Sequence, residues 1–328
     1  MADTIYVGTG HGLFVCQRVG DRYEVTGAGL EESHVTSAVA REGVILAGTT
    51  NGVYRSDDYG RTWRGASEGL GVRRVRWMAF HPDVSDFEFA GTEPADIFIS
   101  HDGAETWREC PEVARLRDEH RWSLPYSPEA GCVRGFAFHG SRAFAGVEVG
   151  GVLRSDDAGE TWRLAEGSSG DPEMENPPEP LIYPDVHSIV AAPTDAAAPA
   201  ILFAPTGAGL YRSSDGGAQW ASLYECYCRS VWVDPWDGNH LVLGPADAVE
   251  WNGRIEETRD GGMHWSPASR GLEVPWSDYM VERFAQIDDE LFAVLSNGQL
   301  LCTSVKTLEW KRILDKLEGV TCITAMQS

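Results

Sequence analysis

Lysine is nearly absent from this 328-residue chain. Almost all of its 27 basic residues are arginine, set against 50 acidic ones, for a formal net charge of −23. A surface this acidic repels DNA, RNA and anionic lipid, which argues against nucleic-acid and membrane partners. No run of about 18 apolar residues occurs, so no helix long enough to cross a bilayer is expected. The opening Met1-Ala2-Asp3-Thr4 carries neither a basic nor an apolar stretch and leads into a strand pattern, so no secretory leader is expected. Seven cysteines, an odd number scattered along the chain, do not read as a disulfide framework and fit reduced thiols in a cytoplasmic protein. Cys226 and Cys228 form a Cys-x-Cys pair without a second pair at zinc spacing. A phosphate loop, a dinucleotide fingerprint, a Gly-x-Ser-x-Gly elbow and a His-Glu-x-x-His pair are all missing.

What is present is repetitive. Ser56 to Trp63 (SDDYGRTW) and Ser155 to Trp162 (SDDAGETW) both read Ser-x-Asp-x-Gly-x-Thr-Trp. Ser100 to Trp107 has Ala104 at the glycine position, and Ser213 to Trp220 has Gln219 for threonine. Thr258 to Trp265 puts Thr for Ser and His264 for Thr, and Thr303 to Trp310 keeps little beyond its ends. The closing tryptophans Trp63, Trp107, Trp162, Trp220, Trp265 and Trp310 follow one another at intervals of 44, 55, 58, 45 and 45 residues. A base period of about 45 is the length of a four-stranded propeller blade. The two long intervals imply inserted loops, over residues 110–131 and 165–185.

Each repeat runs from an apolar strand, through a second strand ending near Ala-Gly-Thr, to a third strand, the Asp turn and a short fourth strand at Trp. First strands begin near Val35, Val75, Val133, Val186, Cys228, Val281 and Val320, which makes seven. The first strand at Val320–Ala325 has nothing after it, and Thr4–Thr9 with Gly12–Val15 lack a first strand before them. One blade is therefore shared between the termini, which removes an open sheet edge. The expectation is an all-β chain over 1–328: a single seven-bladed β-propeller of four-stranded antiparallel blades, closed by its ends.

These repeats resemble those of the BNR or Asp-box propellers, a superfamily that includes sialidases, xyloglucanases, sortilin-type receptors and photosystem II assembly-factor propellers. The resemblance covers nearly the whole chain and implies the fold; the activities hosted on that fold differ widely. In sialidases the resemblance would imply an arginine triad with a Tyr–Glu nucleophile pair. Here Tyr126, Tyr183 and Tyr279 fall near the expected rim, but the early Arg-Ile-Pro motif is missing and the blades number seven rather than six. Xyloglucanase-like enzymes place a cleft between two large propellers, and this chain has repeats for one.

Chemistry in a propeller gathers where first strands begin and second-to-third turns end, at one mouth of the axial channel. The residue after the first apolar position of each inner strand is Thr36, Arg76, Arg134, His187, Arg229, Glu282 and Thr321. Three arginines in one register suit planar recognition of an anionic or hydroxyl-rich ligand; the same residues would equally suit ion pairs that plug the channel. The turns add His11, Glu93, Asp96, Glu148, Asp247 and Glu250. Glu148, Glu282 and His187 are the acid–base candidates, and Arg76, Arg134, Arg229, Glu93, Tyr126 and Tyr279 the ligand-binding ones. The two insertions, with Trp276 and Asp278, are expected on the same face. No cofactor is expected; a metal at His11, His34 and His187 beside Glu148 lacks a supporting local motif. Two functions follow: binding of a small polar or anionic, carbohydrate- or carboxylate-like molecule at the mouth, with hydrolysis or lyase cleavage if the site is catalytic, or a non-catalytic scaffold that holds a protein partner.

Overall fold

A computed structural model describes residues 2–124 and 131–327. Its strands form seven four-stranded antiparallel sheets. The innermost strands are Val35–Arg41, Val75–Phe80, Val133–His139, Val190–Ala191, Tyr227–Asp234, Val281–Ile287 and Val320–Thr324. Each packs against the next, and the last against the first, so the ring closes. The closing blade takes its inner strand from the C-terminal end: Val320–Thr324 pairs with Thr4–Thr9, with Tyr6 opposite Thr324 and Val7 opposite Ile323.

The Asp turn is held as its composition requires. In Ser56–Trp63, the Asp58 carboxylate accepts from the Thr62 amide at 2.8 Å and the Thr62 hydroxyl at 2.7 Å, and the Gly60 amide donates to Ser56 Oγ at 2.8 Å. These bonds recur around Asp102, Asp157, Asp215 and Asp260 in varied completeness; where His264 replaces threonine, its Nδ1 meets Asp260 Oδ2 at 2.7 Å. Trp107, Trp162, Trp220 and Trp310 are buried, whereas Trp63 and Trp265 are half-buried. Trp107 and Trp310 each donate Nε1 back to the preceding blade, to the Ala66 and Ala268 carbonyls at 2.8 Å. These turns therefore serve as staples between blades.

The Ala-Gly-Thr glycine has a packing reason. A Cβ on Gly48 would sit 2.6 Å from Val75 Cγ1, and one on Gly91 2.5 Å from Val133 Cγ1. The first valine of the next inner strand needs that space, which sets how closely blades approach around the axis.

Two features depart from the sequence reading. The fourth inner strand, expected from Val186, becomes regular only at Val190; before it, a single bridge joins Val186 to Thr206. The first insertion holds a helix, Pro111–His120, with Pro at its start, Glu112 in the first turn and Arg117 and His120 in the last. The second insertion is pinned by backbone bonds at Ile182, Pro184 and Pro180 and buries Ile182. The two insertions meet, because the Trp122 indole donates to the Gly170 carbonyl at 2.8 Å.

Candidate functional site

The turn after each second strand lies beside the start of the inner strand: the Glu93 amide donates to the Arg74 carbonyl and the Glu148 amide to the Cys132 carbonyl, both at 2.9 Å. The strand starts and these turns thus share one end of the channel. At that end, every inner strand with a full ladder carries a bulge. Pairing jumps from Val35 to Ser37, from Val75 to Trp77, from Val133 to Gly135, from Val281 to Arg283 and from Val320 to Cys322. In Tyr227–Asp234 it jumps from Cys228 to Val231. The skipped residues are Thr36, Arg76, Arg134, Glu282, Thr321, and Arg229 with Ser230. An extra residue at a bulge leaves the ladder and its side chain is re-aimed; here it is re-aimed at the axis.

Arg76, Arg134, Arg229 and Glu282 accordingly line one axial cavity of about 230 Å³, with Thr36 and Thr321. The charges are interlocked. Glu282 accepts from Arg134 at 2.8 Å through Oε1 and from Arg229 at 2.7 Å through Oε2, so one carboxylate clamps two other blades. Burial by itself would push the Glu282 carboxyl up; the adjacent Arg134 and Arg229 charges override it and hold it at about 2. Arg76 meets Glu93 Oε2 at 3.3 Å, and Arg74 meets the same oxygen at 3.2 Å. Glu250 approaches Arg229 at 3.7 Å.

Arg283 is different. It lines the same cavity, yet among the described residues no carboxylate comes within 4.0 Å of it, and its guanidinium stacks 3.8 Å over the Trp77 ring. Burial, with Arg134 and Arg76 close by, draws it down to about 10, which still leaves it cationic at neutral pH. Sequence alternation would have put the residue after Glu282 on the opposite side; the bulge brings both to the axis.

The other expected residues lie one layer out. His187 is buried beside Asp185 and Tyr227, with Nε2 at 3.2 Å from Asp185 Oδ2. Glu148 is buried, accepts from the Cys132 thiol at 2.9 Å and approaches Arg134 at 3.9 Å. Tyr279 stacks on Trp276 with centroids 5.1 Å apart. Tyr126 lies outside the described residues. The three histidines do not assemble: His11 is exposed and is felt electrostatically by His34, which Arg76 and Arg74 also flank, whereas His187 clusters with Glu148 and Asp185. Asp185, Tyr227, Cys132, Trp77 and Arg283 were not singled out in the sequence. Only Arg283 had a local signal, its place next to Glu282.

No family model matches the chain, and no curated protein matches it in sequence. Solved structures do. An ancestral GH74 enzyme superposes with a TM-score of 0.61 at 17% identity over 98% of this chain, which spans only 40% of that enzyme's length. YCF48 bound to D1 peptide gives 0.63 at 14% identity, covering 93% of this chain and 89% of the other. YCF48 from Cyanidioschyzon merolae gives 0.63 at 12% identity over 93% and 92%. At these identities the likeness is one of architecture alone.

Proposed function

We propose that this protein binds a small anionic molecule in the axial cavity at the channel mouth. The observation that carries the reading is Arg283, a cation held against Trp77 at the cavity wall with no carboxylate within 4.0 Å among the described residues. Desolvating a guanidinium without pairing it is costly, and an anion in the cavity would offset that cost. The lining carries Arg76, Arg134, Arg229 and Arg283 against Glu250 and Glu282, an excess of positive charge inside a chain of net charge −23. In this reading Glu282 is the clamp that fixes Arg134 and Arg229, Glu93 backs Arg76, and Tyr279 belongs to the rim. Cleavage of the ligand, by hydrolysis or elimination, would fall to Glu148 and His187, because a carboxyl held at about 2 has no proton to donate at neutral pH.

The test is binding of phosphate, sulfate, oxalate and glucuronate, read by calorimetry at low salt. At least one is expected to bind, and Arg283→Ala to weaken it by about 1.5–3 kcal/mol, the scale of a charge-assisted hydrogen bond. Failure of all four with the native chain, or an unaltered affinity in the variant, would overturn the reading. A second reading, a scaffold for a protein partner, draws on the exposed apolar rim of Val249, Trp251 and Val274 and on the peptide bound to YCF48. It predicts that Trp251→Ala removes partner binding while anion binding stays as it was.

A further inference from the structure

Beside the axial cavity lies a second constellation that anion binding does not use. Glu148 follows the strand Arg142–Val147, while Asp185 and His187 come from the irregular stretch ahead of Val190–Ala191. One ligand atom from each lies within 4.8 Å of the other two. The arrangement converges because the strand that should begin at Val186 is interrupted there: Gly207 and Pro205 hold the backbone through the Asp185 carbonyl and the His187 amide, at 3.0 and 2.9 Å. Both side chains are thereby turned toward Glu148.

The imidazole shows what the cluster is built for. His187 is 2% exposed, and its Nδ1 lies 2.8 Å from the Cys228 carbonyl oxygen. A carbonyl oxygen can only accept, so Nδ1 carries the proton. With Nδ1 so fixed, Nε2 is the nitrogen turned into the cluster, and it faces Asp185 Oδ2 at 3.2 Å, an arrangement in which the ring and the carboxylate can share one cation. The Tyr227 hydroxyl reaches Nε2 only at 3.5 Å. A histidine whose far nitrogen is fixed by a backbone carbonyl is also the usual second layer of support around a metal-ligating imidazole. The Cys132 thiol, which donates to Glu148 Oε2 at 2.9 Å, orients the third ligand in the same way. The nearest guanidiniums, Arg134 and Arg229, are engaged by Glu282 at 2.8 and 2.7 Å, which tempers their repulsion of a cation.

We propose that Glu148, Asp185 and His187 bind one divalent first-row transition-metal ion, with Glu148 and Asp185 each giving a carboxylate oxygen and His187 giving Nε2. One imidazole with two carboxylates suits Zn²⁺ or Mn²⁺ better than Ca²⁺ or Mg²⁺, which take oxygen donors. Three protein ligands leave positions open for water or for an anionic ligand. The proposal stands on its own geometry and does not require Arg283 to bind anything.

The full chain, stripped with chelator, is titrated by calorimetry with Zn²⁺, Mn²⁺, Ca²⁺ and Mg²⁺, and its metal content is measured after dialysis. One equivalent of Zn²⁺ or Mn²⁺ per chain is expected, at least 100-fold tighter than Ca²⁺ or Mg²⁺. His187→Gln and the near-isosteric Asp185→Asn should each weaken it at least 10-fold, while Glu250→Gln, a carboxylate at the same mouth outside the trio, leaves it unaltered. Circular dichroism confirms that each variant is folded; Co²⁺ substitution adds a visible absorption band that Asp185→Asn should shift. Three results would overturn the proposal: no stoichiometric uptake by the native chain, equal affinity for Ca²⁺, or unaltered binding in folded Asp185→Asn. Loss of metal binding with anion binding by Arg283 intact would separate this site from the cavity.

Discussion

A single carboxyl group at the far end of a blade shows how burial sets chemistry residue by residue. Glu88 is 2% exposed, and desolvation pushes its carboxyl to about 7 although the neighbouring Ser100 side chain pulls the other way. The folded state therefore holds this proton more tightly than the unfolded chain does. Its contribution is fully present below about 4.5, the ordinary value, and is lost as pH rises through about 7. Glu88→Gln removes the ionisation. The variant should match the native chain at pH 4.5 and exceed it at pH 8 by roughly 3 kcal/mol, the worth of a shift of this size. Urea midpoints at the two pH values check this; equal midpoints at pH 8 would place Glu88 in a far wetter site. Arg283 is the opposite case at the same scale. Its charge survives burial, stays cationic and is stacked on Trp77, and that is why its removal is expected to be felt by a ligand.

At the scale of the element, the Asp turn and its tryptophan are one unit with two grades of burial. Trp162 packs into the cluster with Phe89 and Phe136 and donates Nε1 to the Gly159 carbonyl at 3.0 Å. Trp63 occupies the corresponding place and is only half-buried. Truncation of Trp162 to Ala should cost about 3–5 kcal/mol, and truncation of Trp63 clearly less, since less apolar area returns to water. Denaturant unfolding of the two variants gives the comparison; equal losses would mean that the turn, and not the buried indole, carries the stability. The inner strands make the second elemental point. A bulge recurs in blade after blade at the same register, and the periodicity of two residues on which a strand is read from sequence breaks exactly where function is expected to sit.

The whole ring is tied across its axis by Glu282, which joins the blades of Arg134 and Arg229 to its own. Removing the charge strands two guanidiniums at the channel wall, and breaking a largely buried pair from one side costs about 3–5 kcal/mol; with the Glu282 side chain 27% exposed, the low end is expected. The carboxyl is depressed to about 2, so its contribution is present above about 4.5 and is lost as pH falls toward 2. Glu282→Gln should therefore unfold at lower denaturant concentration at pH 7 and lose part of the native chain's acid sensitivity between pH 4.5 and 2. An acid-unfolding curve that keeps its full slope in that window would assign the sensitivity to other carboxylates.

The blade count, the four-strand layout and the closure by both ends were legible in the residues, because those rest on local chemistry repeated from blade to blade: an Asp that caps amides, a glycine that makes room, a tryptophan that staples. The sequence also carried the register of Arg76, Arg134, Arg229 and Glu282, since equivalent strand positions face one way. It did not show the helix Pro111–His120, whose short amphipathic run lay inside a loop assignment. It could not show which charges pair, because Glu282 meets Arg134 across 148 residues of chain. Nor could it show Arg283 at the axis or Asp185 beside His187. Bulges and an interrupted strand decide those placements, and both follow from how closely neighbouring blades pack around a closed ring, a condition that exists only once all seven are in place.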